Sequence, residues 1–335
     1  MIKALACCAL LALTLFPSAA GAEPIKLKLA YITSDRSQFY LYAIKPFVDA
    51  VNGEANGLIK IEVYFSGALG GDLRRQPQLV LDGEADIAFI VPGQLPHLFP
   101  DTAVLELPGM FHDAREATLC YSGLIHANVL AGYEEFFVIG AFSAEPEAVN
   151  SRKPLTSLAG LTGMKIRTGS MAEVAALERL GAVVEVLPIP QAADAISARS
   201  IDGVTLPPSA LSEFGIGRVT SYHYLLPISS APLAVVMSRK KLDSLPEQAQ
   251  SLIRKYSGDW IAARFIERWT ALEQEELKRI KSDPRRTVTF PSRSDLEKAQ
   301  VIFKAVDGEW AASSPHNLEL LTLVEKDLAE IRSAQ

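Results

Sequence analysis

The sequence predicts an α/β protein built as two lobes, and three observations carry the prediction. Alternating strand and helix patterns run in series twice, from Ile25 to Val91 and again from Lys153 to Thr205, the signature of parallel sheets covered by helices. The stretch from Glu247 to about Ile280 has one glycine, Gly258, and no proline. It is long enough for one extended helix, or two joined near Gly258, that braces both lobes. Finally, the chain has 335 residues, enough for two domains of ordinary size even after a leader is removed.

That leader is the first element. Met1-Ile2-Lys3 precedes an apolar run from Ala4 to Phe16 and then Pro17-Ser18-Ala19-Ala20-Gly21-Ala22, a signal peptide expected to be cut after Ala22. The run is too short to span a bilayer. Cys7 and Cys8 depart with it, and Cys120 alone cannot form an internal disulfide. Without Lys3, 32 basic residues face 39 acidic ones, a net charge of −7. Such a chain is expected to be free in its compartment and without nucleic acid as a partner.

Ile25 to Tyr31 reads as a strand, with Ile25, Leu27 and Leu29 on one face and Lys26 and Lys28 on the other. After the loop Thr33–Ser37, Ile44, Phe47, Val48 and Val51 hold helical spacing, and Asn52-Gly53 and Asn56-Gly57 close the helix. Ile59, Ile61, Val63 and Phe65 alternate as a second strand. A loop from Gly67 to Gly71, a helix to about Leu81 and the apolar strand Ala85–Val91 follow, ended by Pro92-Gly93. Val104–Leu107 and Phe136–Phe142 are further strand candidates, flanking a helix from Asp113 to about Leu130 whose Asp113 and Glu116 have capping-box spacing.

In the second unit, Met164 and Ile166 alternate with Lys165 and Arg167, and Thr168-Gly169 turns the chain. Ser170 and Glu173 form a capping box for a helix through Leu180. The strand Val183–Leu187, a helix from Pro190 to about Arg199 and the strand Gly203–Thr205 complete it. The strand Ala231–Met237, a turn at Ser244-Leu245-Pro246 with Pro246 suited to a first helical position, and helices over Ser294–Val306 and Asn317–Ile331 finish the chain.

Arg167 stands where a strand yields to a helix, and in open α/β sheets ligands collect outside the carboxyl ends of strands. In isolation it reads first as a surface arginine in an ordinary ion pair. Two lobes make the cleft between them the default ligand site. Enzyme motifs are absent: the five histidines, His97, His112, His126, His223 and His316, lack metal-ligand spacing, there is no CxxC and no G-x-S-x-G, and the Gly67–Gly71 loop lacks a phosphate-loop lysine. Binding, with no cofactor, is the expectation.

The ordered set Ile59-Lys60-Ile61-Glu62-Val63, Gly67-Ala68-Leu69-Gly70-Gly71-Asp72, Asp86-Ile87-Ala88-Phe89, Pro92-Gly93 and Leu107-Pro108-Gly109-Met110-Phe111 resembles the DctP-type solute-binding proteins of tripartite ATP-independent periplasmic (TRAP) transporters. The likeness continues through Leu158 to Arg167, Gly181, Pro188, Ile201-Asp202-Gly203-Val204 and Ser244-Leu245-Pro246. It implies a two-lobed periplasmic binding protein of the Venus-flytrap kind, with a long helix spanning both lobes. Residues 23–145 plus 232–271 would form lobe I, and 146–231 plus 272–335 lobe II. The implied protein is a periplasmic monomer that is no enzyme; it captures a small organic acid and delivers it to TRAP membrane permease subunits.

The resemblance makes Arg167 the carboxylate anchor, a role that suits a guanidinium fork. Glu147 stands where members that bind acidic sugars carry a second arginine, and it would repel a second carboxylate. Gly109 replaces a frequent phenylalanine, and Thr205-Leu206-Pro207 stands where members often carry polar or aromatic residues. The expected ligand is therefore a monocarboxylate with a bulky apolar or aromatic body, unless Leu206 and Gly109 simply pack within their lobes. Arg36, Ser37, Gln38, Val91, Pro92 and Phe111 are further contact candidates from their positions near strand ends, although Arg36 also reads as a solvated loop charge and Phe111 as core. A ligand sensor signalling to a membrane kinase and an exported α/β enzyme are the competing functions.

Overall fold

A computed structural model describes residues 23–334; the expected leader and its cut after Ala22 lie outside them. Strands β1 (Ile25–Ala30), β2 (Ile59–Tyr64), β3 (Ile87–Ile90), β4 (Phe136–Ser143) and β10 (Pro232–Ser238) form one sheet in the order β2-β1-β3-β10-β4. β1 pairs in parallel with β2 and β3, as two successive crossovers require, while β10 runs antiparallel between β3 and β4. The second sheet contains β5 (Ala148–Ser151), β6 (Lys165–Thr168), β7 (Val183–Val186), β8 (Gly203–Leu206), β9 (Tyr222–Tyr224) and β11 (Thr287–Thr289), in the order β11-β9-β5-β8-β6-β7. β6 lies parallel between β7 and β8.

Each sheet is buried on both faces, which explains the apolar runs of the central strands. In the first lobe one face packs α1 (Lys45–Glu54) and α7 (Glu247–Lys255), through Phe47, Val51 and Ile253; the other packs α3 (Ala114–His126), through Tyr121 and Leu124. The second sheet has its own two clusters, around Ile166, Leu177 and Tyr224, and around Ile196, Val204 and Leu211.

The long helical stretch divides at Gly258, whose backbone (φ 61°, ψ −126°) is one that a side chain would disfavour. Beyond it α8 (Asp259–Ser282) runs 24 residues. Its Phe265, Trp269 and Leu272 enter the first lobe's core and its Leu277 and Ile280 the second's. The chain also crosses between sheets twice, from β4 to β5 and from β9 to β10. These crossings are tied together: Glu147 N donates to Ser229 O (2.7 Å) and Ile228 N to Glu147 O (3.0 Å).

Two expectations change. Val104–Leu107 is not a strand but the end of a 3-10 helix, Pro100–Glu106, whose Val104 and Leu105 are buried beneath α10 (Pro315–Ser333). The expected boundary also fails for α10, placed with the second lobe by its position after residue 272. Its Leu320, Leu321, Val324 and Leu328 join the first lobe's core, while the preceding helix α9 (Arg293–Ala312) buries Ala299, Phe303 and Val306 in the second's. No described helix is long and apolar enough to cross a membrane.

Candidate functional site

A cavity of ≈ 390 Å³ opens between the lobes, beside the crossing segments. Arg167 enters from the end of β6, held in register between Glu185 and Val204. It is 3 % exposed, and its Nε donates to Leu187 O at 2.7 Å. The two terminal nitrogens make no hydrogen bond to the protein among the described residues. Gly169 permits this pose, since a Cβ there would lie 2.8 Å from Nη2. Burial lowers the arginine's pKa and the nearby Glu147 and Glu173 act against that shift. A guanidinium survives such a shift charged, so the cavity holds a fixed cation with its fork unengaged.

Behind it stands Glu173, in the first turn of α4 (Met171–Arg179) and wholly buried. The expected capping box is half present. Ser170 Oγ accepts from Glu173 N (3.4 Å), but the Glu173 carboxylate turns inward, accepting from Thr205 Oγ1 (2.7 Å), Ser229 Oγ (2.6 Å) and Thr168 Oγ1. At Asp113 the cap also forms, with Asp113 Oδ1 accepting from Glu116 N at 2.8 Å. Glu147 lines the cavity with Oε2 buried and unpaired among the described residues. Burial, then Glu173, drives its pKa well above the usual carboxyl value, against the pull of Arg167.

The opposite wall is aromatic. Phe39 lies 4.6 Å from Phe89 and 6.0 Å from Trp269, centroid to centroid, and all three rings line the cavity. Glu106, 6 % exposed, is the acid set into that side. At the cleft's edge Glu213, from the second lobe, accepts from Ser37 Oγ of the first at 2.6 Å, and Tyr31 Oη shares a 2.6 Å hydrogen bond with the same hydroxyl.

Of the residues expected to contact ligand, Arg167, Val91, Leu206 and Pro207 line the cavity together. The other six do not. Thr205 points to Glu173, because adjacent strand residues face opposite sides and Leu206 takes the cleft side. Ser37 is engaged by Glu213 and also accepts from Tyr40 N (3.4 Å); Gln38 follows it in the helical turn and Arg36 is exposed. Pro92 is buried behind Val91, and Phe111 belongs to the first lobe's core. Gly109 makes no extra room in the cleft: at φ 71° it faces Phe303 of α9, 2.8 Å from where a Cβ would be. Trp269, Glu106 and Glu213 were not foreseen. Only Trp269 had a sequence signal, its place midway along the bracing helix. Among the described residues no group of three or more His, Cys, Asp or Glu is arranged to hold a metal ion.

The model of the bacterial extracellular solute-binding protein family 7, DctP, matches residues 29–313. A solute-binding protein of Verminephrobacter eiseniae is 24 % identical over 212 residues, 62 % of this chain and 63 % of that one, so the chain spans somewhat less than two thirds of that relative. The 2,3-diketo-L-gulonate-binding periplasmic protein of Escherichia coli (strain K12) is 26 % identical over 232 residues, covering 68 % of this chain and 70 % of its own. In shape, a TRAP solute-binding protein from a marine metagenome, specific for aromatic acid ligands and crystallised with 3-hydroxybenzoate, matches with a TM-score of 0.84 at 23 % identity, over 92 % of this chain and 99 % of that one. This likeness establishes the two-lobed fold.

Proposed function

From the premise that the chain belongs to the bacterial extracellular solute-binding proteins of family 7, whose members serve TRAP transporters and are not enzymes, we propose that its cleft captures a monocarboxylate with an aromatic or bulky apolar body in the periplasm and passes it to TRAP permease subunits. One observation carries the reading: the Arg167 fork, buried and unengaged at its terminal nitrogens, faces a cavity whose far wall is Phe39, Phe89 and Trp269. A carboxylate matches the fork bidentately. The rings supply apolar contact, and a pocket largely apolar with few polar groups is the usual form of a small-molecule site.

Glu147 supports one acid group rather than two. It stands within Coulombic reach of Arg167, so a second ligand carboxylate there meets another carboxyl instead of a cation. The marine relative's specificity for aromatic acids agrees with this body shape, whereas the E. coli relative is named for a sugar acid. The mature chain, screened by thermal shift against aromatic, branched, dicarboxylic and sugar acids, is expected to be stabilised by the first two classes and recovered with ligand unchanged. Stabilisation by dicarboxylates or sugar acids alone would refute the reading.

A further inference from the structure

Glu106 is a cleft residue for which the carboxylate anchor gives no role. It ends the 3-10 helix Pro100–Glu106 and turns its carboxyl group onto Gly93, where any Cβ would collide with both oxygens. It is 6 % exposed and lines the cavity. Among the described residues the Ser170 hydroxyl is the one polar side chain that hydrogen-bonds it, which leaves the rest of its hydrogen-bonding capacity directed at the cavity. A buried carboxyl group with only one hydroxyl partner is disfavoured unless something else completes its hydrogen bonding.

The charge around it says what that partner is. Arg167 lies in the field of Glu147 first and Glu173 second, and Glu173 itself accepts from three hydroxyls. The groups facing Glu106 are acids and phenols: Glu173 from α4, Glu147 from the crossing segment, Tyr121 from α3 and Tyr133 from the loop after it. Burial, then Glu173, raises the Glu106 pKa to about 8, so at neutral pH it is chiefly a neutral carboxyl, able both to donate and to accept. A ligand hydroxyl has the same two capacities.

We propose that Glu106 is a specificity-determining residue that reads a hydroxyl group on the body of the bound acid, so that the cleft prefers hydroxylated monocarboxylates to their unsubstituted parents. This rests on the carboxylate reading above. A site built to hydrogen-bond a hydroxyl rejects the analogue that lacks it, because its own polar group is then left unpaired.

The test is calorimetric titration of the full mature chain with benzoate, the three isomeric hydroxybenzoates, phenylacetate, mandelate and phenylglycine. Wild type is expected to bind at least one hydroxylated acid about tenfold or more tighter than its parent. Glu106→Gln, which keeps a donor and an acceptor, retains the preference and weakens its loss above about pH 8, where Glu106 ionises. Glu106→Leu abolishes the preference while still binding the parent acid. A Glu106→Leu protein that keeps the preference overturns the assignment, as does a wild type indifferent to the hydroxyl. Phenylglycine binding above mandelate would assign Glu106 to an ammonium group and overturn it too. Failure of the carboxylate reading looks different: no acid of the panel then binds any of the three proteins, and the inference falls with it.

Discussion

On the first lobe's side of the cleft, Phe39 lies between Phe89 and Trp269, and Phe265 stacks on Trp269 at 5.1 Å within the core behind. On the second lobe's side, Arg167, Glu173, Thr205 and Ser229 form a chain of charge and hydroxyls that reaches the crossing segments. The first wall is an extension of a hydrophobic core; the second is a polar network set into the ends of strands. A ligand with one acid group and an apolar body therefore has one orientation that suits both walls, and only a closed cleft presents both at once. Neither lobe alone has the means to bind tightly: a charge-assisted hydrogen bond is worth roughly 1.5–3 kcal/mol net, against about 8 kcal/mol for micromolar affinity.

The contrast between the two walls depends most on Arg167. Arg167→Ala is expected to weaken acid binding by roughly 2–5 kcal/mol, the range for truncating one partner of a buried charged pair. Arg167→Lys keeps a charge but loses the planar fork and the Nε bond to Leu187 O, and should lose most of the same affinity. Both proteins should remain folded, because the single side-chain hydrogen bond lost among the described residues is the one from Nε to Leu187 O. Wild-type affinity by calorimetry in the lysine variant would mean that the ligand's acid is held elsewhere.

Next comes Trp269. It is 3 % exposed and its Nε1 has no partner among the described residues, so replacing the indole by phenyl forfeits area but no hydrogen bond. Trp269→Ala should cost about 3–5 kcal/mol of stability. Trp269→Phe should fold, with ligand affinity reduced by about tenfold or less. Of the chain's 3 tryptophans, Trp260, Trp269 and Trp310, only Trp269 lines the cavity. A ligand-induced change in tryptophan fluorescence should therefore vanish in Trp269→Phe, and its survival would move the apolar body of the ligand off this wall.

How much of this was legible in the sequence follows how local each determinant is. The Asp113 and Ser170 caps depend on residues three apart, and both formed. Arg167 was legible because strand periodicity placed it at a strand end before a capped turn. Periodicity misled at Val104–Leu107, where apolar residues are buried by a helical turn under α10 rather than by a ladder. That misreading hid Glu106, since a charged residue inside a short strand candidate reads as the strand's solvated face. β5, β9 and β11 are three or four residues long and exist through distant partners, such as Thr287 with Tyr222. Ser37 was a reasonable candidate by position. What local pattern does not contain is that a glutamate 176 residues away claims its hydroxyl.

That glutamate offers the mildest perturbation and tests whether the walls meet by design. Glu213 accepts from Ser37 Oγ at 2.6 Å and faces the backbone amides of Gln38 and Phe39, across the cleft from its own lobe. Burial raises its pKa, and the hydrogen bonds from Ser37 and Thr33 oppose the rise. A carboxyl whose pKa is raised in the closed form favours that form at low pH, and its contribution is lost as pH rises through the raised value. Mild acid should thus tighten closure through this residue. Glu213→Gln, uncharged at every pH yet still an acceptor, should bind within about threefold of wild type with a flatter pH dependence. Glu213→Ala removes the acceptor and should weaken binding by about 0.5–1.5 kcal/mol, the net worth of an ordinary hydrogen bond, and enlarge the radius of gyration of the ligand-free protein. Unchanged scattering and affinity in Glu213→Ala would show that ligand alone holds the lobes together, and that the aromatic and charged walls need no latch to be brought face to face.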